Sequence, residues 1–122
     1  MQNVLNWFEI PVSDFSRAVR FYEEALATKL KTETFQGSDM AVFPADGVNG
    51  ALVAGRQRKP TTEGSLVYLH VGQGGTALDQ AIERVQFAGG DVLVPVTDIG
   101  PMGKFAVIRD SEGNAVGLHA PR

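Results

Sequence analysis

Chemistry near neutral pH has few candidate carriers in this chain of 122 residues, which holds two histidines, His70 and His119, and no cysteine. The missing cysteine excludes disulfides, thiolate metal sites and cysteine nucleophiles. Proton transfer or metal ligation therefore falls to the two imidazoles and to carboxylates beside them. Glu9 is the carboxylate of interest. In Trp7 to Val12 the apolar residues Phe8, Ile10 and Val12 alternate with Trp7, Glu9 and Pro11, the period of a half-buried strand. If Phe8, Ile10 and Val12 face the interior, Trp7 and Glu9 share the opposite face, as do Tyr68 with His70 and Gly117 with His119 on later strands. A carboxylate beside an indole either finds a partner, with Arg109 or Lys104 as cross-sheet candidates, or has its pKa raised by its apolar neighbour, which suits a base acting next to a carbonyl. His119 is likewise either a general base or a partly exposed ring bonded to backbone. Trp7 and Tyr68 form a candidate wall for a flat or apolar ligand, with His70, Phe105 and the adaptable Met102 as further contacts.

These residues need strands and helices to place them. Ser13-Asp14 offers an N-cap, and Ala18, Val19, Tyr22 and Leu26 recur at helical spacing, so a helix is predicted from about Phe15 to Ala27. Shifted by about 59 positions the pattern returns: Phe8, Ile10 and Val12 fall on Val67, Leu69 and Val71, and a second helix over Thr76 to Ala88 carries the stripe Leu78, Ala81, Ile82 and Val85. Strands are predicted at Leu30 to Phe35, Met40 to Phe43 and Gly50 to Ala54, with a turn at Gln36 to Asp39. In the second half they are predicted at Leu66 to Val71, Asp91 to Val94, Lys104 to Arg109 and Ala115 to Ala120. Each half is β-α-β-β-β. One domain over 1–122 is expected, made of two modules, about 4–55 and 65–120, joined by a polar linker at about 55–64.

Composition narrows the function classes. A hydrophobic fraction of 43%, a charged fraction of 20% and a net charge of −3 fit a globular domain large enough to need no disulfide or structural metal. No basic stripe supports a nucleic-acid partner, the nearest feature being Arg56, Arg58 and Lys59 in the linker, which reads as a solvated loop. No membrane-spanning run or cleavable leader is visible, so a cytoplasmic location is expected. Thr97 to Lys104, with two glycines and a proline, reads as a rim loop or lid. Gly72 to Gly75 is a glycine-rich helix entry without the rest of a phosphate-binding fingerprint.

The opening D-F-x-R-A-x-x-F-Y-x-x-x-L (Asp14, Phe15, Arg17, Ala18, Phe21, Tyr22, Leu26) and the closing D-x-E-G-N-x-V-G-L (Asp110, Glu112, Gly113, Asn114, Val116, Gly117, Leu118) resemble the vicinal oxygen chelate superfamily. That superfamily contains glyoxalase I, extradiol dioxygenases, fosfomycin-resistance enzymes, methylmalonyl-CoA epimerase and bleomycin-resistance proteins. The resemblance implies an α+β fold in which two tandem βαβββ modules form a curved mixed sheet around a cleft. Metal-dependent members hold a divalent ion with His, Gln or Glu from four strands. The matching positions here are Trp7, Leu66, Ala51 or Leu52, and Gly117, none with a lone pair to donate from its side chain.

No cofactor is therefore expected, the alternative being a displaced divalent ion on Glu9, His119 and His70, shifted roughly 6–7 Å along the strands. The implied function is binding of a small, aromatic or amphipathic molecule in the cleft, as in the bleomycin-resistance type. The alternatives are a glyoxalase-like lyase or isomerase, or a dioxygenase, using Glu9 as base or the displaced ion, and an interaction module with a filled cleft. A homodimer is expected, because exposed sheet edges are usually covered and members of the superfamily commonly pair.

Overall fold

The computed structural model describes residues 3–55 and 57–122, so Arg56 of the linker cluster lies outside the described residues. The first half runs β1 (Trp7–Pro11), α1 (Phe15–Ala25), β2 (Lys31–Phe35), β3 (Ser38–Val42) and β4 (Asn49–Val53). The second runs β5 (Tyr68–His70), α2 (Ala77–Phe87), β6 (Asp91–Asp98), a 3-10 turn (Gly100–Met102), β7 (Lys104–Arg109) and β8 (Ala115–Ala120). The strands form two four-stranded sheets, ordered β1-β4-β3-β2 and β5-β8-β7-β6. In each sheet the opening strand runs parallel to the last strand of its own half, and the remaining pairs are antiparallel.

The registers carry the internal repeat. Glu9 pairs with Ala51 on β4, and Tyr68, 59 positions later, pairs with Gly117 on β8. The helices repeat with a spacing of 60, since the buried Ala18, Phe21 and Ala25 of α1 answer to the buried Leu78, Ala81 and Val85 of α2. The glycine-rich entry to α2 accounts for the extra residue. Val19, Leu26 and Ile82, expected within the buried stripes, are only partly buried against the core.

Local chemistry sets the remaining boundaries. Asp14 Oδ1 accepts from Arg17 N at 3.0 Å and caps α1, which ends at Ala25, two residues short of the expected end, where Ala27 turns to φ +51°. The β2–β3 turn is shorter than expected: Gln36 and Gly37 both take positive φ, the geometry of a two-residue hairpin, so Ser38 and Asp39 belong to β3. β5 is confined to Tyr68–His70, leaving Leu66 outside the strand. β6 runs on to Asp98 despite Pro95, because it is the sheet's outer strand and a missing N–H there breaks no ladder; register shifts flank Val94.

One apolar core unites the halves, with Phe21, Tyr22 and Leu52 from the first packed into the same cluster as Leu78, Ile108 and Leu118 from the second. Arg84 Nε on α2 donates to Ala25 O at the end of α1, 3.1 Å away.

Candidate functional site

Strand parity leaves each sheet with one face turned from the core. On the first sheet that face carries Trp7, Glu9, Met40 and Val42, and with Glu33 and Phe35 these line a hollow of about 290 Å³. Met40, buried at its floor, belongs to a small separate apolar cluster with Ala51 and Val53. Trp7 Nε1 donates to Glu9 Oε2 at 3.2 Å, so the carboxylate is tied to the indole beside it. The cross-sheet partners expected for Glu9 are engaged elsewhere: Arg109 Nη1 pairs with Asp91 Oδ2 at 3.2 Å, and Lys104 Nζ donates to Gly75 O at 3.3 Å.

The second sheet gathers the other candidates. His70, His119 and Phe105 are register partners on adjacent strands, and the Tyr68 and Phe105 rings meet edge to face with centroids 6.1 Å apart. His119 Nε2 lies 2.7 Å from Met102 O. A carbonyl only accepts, so the bond requires a proton on Nε2 and leaves Nδ1 as the basic atom of the neutral ring. Tyr68 and His70 also line a cavity of about 450 Å³ with Phe8, Phe43 and Leu69. Trp7 and Tyr68 thus line different hollows and do not make a single wall.

The ion implied by the fold family does not fit these residues. At the closing-strand position, a Cβ built on Gly117 would enter the Tyr68 ring, so the space of a ligand side chain is already filled by an aromatic one. Ala51 and Leu52 are fully buried, Leu66 is 42% exposed beyond the strand, and Trp7 offers only a donor. The displaced set fares no better: Glu9 stands on one sheet, the histidines on the other, and among the described residues no three His, Asp or Glu side chains are grouped to hold an ion.

The residues of the two motifs have a different task. Asp110, Glu112 and Asn114 form the turn between β7 and β8, and each reaches into the first half. Asp110 Oδ2 accepts from Tyr22 Oη at 2.6 Å. Glu112 Oε1 accepts from the backbone of Ser13 and Asp14, at 2.9 and 2.7 Å, and Oε2 from Arg17 Nε at 2.7 Å. Asn114 Nδ2 donates to Pro11 O at 2.8 Å. Burial works to raise the pKa of Glu112, but the Arg17 guanidinium, the Ser111 hydroxyl and the two N–H groups outweigh it and hold the pKa at about 2. The spacing of charged groups in the two motifs is the sequence signal of this framework, which neither motif shows alone because its bonds join residues 88 to 103 positions apart.

Two mixed sheets built from repeated βαβββ order, joined by these motifs, define a class. A sequence profile of the Glyoxalase/Bleomycin resistance protein/Dioxygenase superfamily matches residues 4–118, and the chain belongs to that superfamily. It is 29% identical over 119 residues to the Mycobacterium bovis protein named "Putative glyoxylase CFP32", covering 96% of this chain and 45% of that one. The chain therefore spans less than half the length of this curated relative. Among solved structures, a glyoxylase/bleomycin resistance protein/dioxygenase domain from Frankia sp. EAN1pec aligns with a TM-score of 0.71 at 21% identity, covering 100% of this chain and 93% of the other. TnmS3, an antibiotic binding protein from Streptomyces sp. CB03234, aligns with a TM-score of 0.65 at 24% identity, covering 100% and 99%. At these identities the structural matches speak for the fold alone.

Proposed function

We propose that this protein binds a small aromatic or amphipathic molecule on its open sheet faces by stacking and burial, with no cofactor, as one unit of two modules. The observation that carries the reading is the hollow on the first sheet, where Trp7, 42% exposed, and Phe35, 57% exposed, flank a buried apolar floor. Large rings left outside a filled core offer contact area at little entropic cost. An antibiotic binding protein shares the fold over nearly the whole length of both chains, so the fold accommodates such a role. A glyoxalase-type reaction is the second reading, favoured by the Glu9 carboxylate fixed by the indole in that hollow. A homodimer fits the fully exposed edge strand β2.

The test uses the chain's single tryptophan. Trp7 fluorescence is titrated with a panel of planar aromatic antibiotics, and the mixtures are followed by mass spectrometry. Saturable change without product, insensitive to chelator, is expected. Turnover that disappears in Glu9→Gln moves the assignment to the enzymatic reading. Absence of any response from Trp7 across the panel overturns both the site and the ligand class.

A further inference from the structure

We propose a second site, for a small amphipathic carboxylic acid, in the seam between β1, the linker and β8. A cavity of about 550 Å³ lies there, within the range of small-molecule pockets. Phe8, Ile10, Val67 and Val116 give it apolar walls, and the exposed Arg58 and Lys59 stand on its linker side. Phe8, Ile10 and Val116 have the opposite strand parity to Trp7 and Tyr68, while Phe8 and Glu9 stand on the borders that this cavity shares with the hollows of the open faces.

The linker wall is built in place. Thr61 N donates to Asn114 Oδ1 at 3.1 Å, Ala115 N donates to Thr61 O at 3.2 Å, and Gly117 N donates to Val67 O at 2.8 Å, which ties the segment on either side of the cavity to the closing turn and β8. A preformed cavity spares a ligand the cost of ordering its walls.

Charge selects the ligand class. Neither Arg58 nor Lys59 makes an ion pair with a carboxylate among the described residues. Glu9 also lines the cavity, with its carboxylate bonded to Trp7 Nε1 on the β1 side. A ligand carboxylate is drawn to the two cations, where a guanidinium and an ammonium supply charge-assisted hydrogen bonds. The hydrocarbon or ring of the same molecule then lies against the apolar walls.

Decanoate is the probe. Calorimetry is expected to give one decanoate per chain, with the methyl resonances of Ile10, Val67 and Val116 shifting while those of Val42 and Val53 stay. In the double variant Arg58→Gln, Lys59→Gln, which alters exposed side chains only, decanoate affinity is expected to fall by about tenfold. Decan-1-ol, lacking the charge, is expected to bind both proteins alike. Failure of decanoate to saturate below its micelle concentration, shifts confined to Val42 and Val53, or equal decanoate affinity in the double variant would each overturn the proposal.

Discussion

The Tyr22 hydroxyl donates to Asp110 Oδ2 at 2.6 Å with both residues buried, joining α1 to the β7–β8 turn across 88 positions of sequence. Asp110 is otherwise satisfied by the N–H groups of Glu112 and Asn114 and by Asn114 Nδ2. Tyr22→Phe removes one bond to a buried carboxylate and keeps the ring, so a loss of about 1.5–3 kcal/mol is expected in urea denaturation. Burial, then the Asp110 charge and the hydrogen bond, push the Tyr22 pKa well above the tyrosine value of 10.0. A pKa raised on folding gives stability that is complete below the unfolded value and is lost as pH rises toward the folded one. The wild type should therefore weaken above about pH 10 relative to Tyr22→Phe, with Tyr22 ionising only on unfolding in an absorbance titration. A phenolate signal from Tyr22 in the folded protein would contradict this.

Glu112 makes the opposite prediction. Its pKa is held at about 2 against an ordinary 4.5, so its contribution is complete above about pH 4.5 and is lost as pH falls through 2. The denaturation midpoint of the wild type should fall more steeply between these values than that of Glu112→Gln. Since Asp98, bonded to Arg122, is also lowered, the difference between the two proteins, and not the wild-type curve alone, isolates Glu112. Parallel curves would deny its role in tying the β7–β8 turn to the start of α1.

Strand parity is legible in β1, where Phe8 and Ile10 turn toward the core and Trp7 and Glu9 stand exposed, but not in β7 and β8, which bury Ala106, Val107 and Ile108, and Val116, Gly117 and Leu118, in succession. β7 and β8 have the boundaries expected, whereas β6 did not, since only its place at the sheet edge tells that Pro95 is harmless. Other features depend on contacts between distant segments. Glu112 meets Ser13 across 99 positions, and no local period records that distance. The separation of the Trp7 and Tyr68 hollows follows from how the two sheets are set against each other through the shared core, which side-chain alternation within one strand does not encode.

Gly117 and Tyr68 exclude each other's alternatives. Because a Cβ at 117 would enter the Tyr68 ring, Gly117→Glu should be strongly destabilising, by several kcal/mol if the ring cannot move aside. The double variant Tyr68→Ala, Gly117→Glu should recover most of that loss, as the 51% exposed ring itself contributes modestly. Neither should bind a divalent ion stoichiometrically, because Trp7 and the buried Ala51 supply no further ligand. Denaturation with a double-mutant cycle, read beside elemental analysis, checks both points; additive stability changes would show that the ring does not occupy the space.

His119 ties one of its two ring nitrogens to the loop before β7. Its Nε2 holds Met102 O, and the same loop is fastened by Arg122, which reaches Gly100 O at 2.8 Å and Asp98 Oδ1 at 2.7 Å. Within the loop Ile99 N donates to Gly103 O and Gly103 N to Gly100 O, at 2.9 and 3.0 Å. His119→Ala should loosen this segment without unfolding the sheet, raising amide exchange at Ile99 and Gly103 by about fivefold, the worth of one net hydrogen bond. Exchange at Ile108, in the core, should change far less. His119→Gln, able to donate to the same carbonyl, should restore most of the protection. If exchange at Ile99 and Gly103 were unaltered in His119→Ala, the imidazole would have no part in holding the loop.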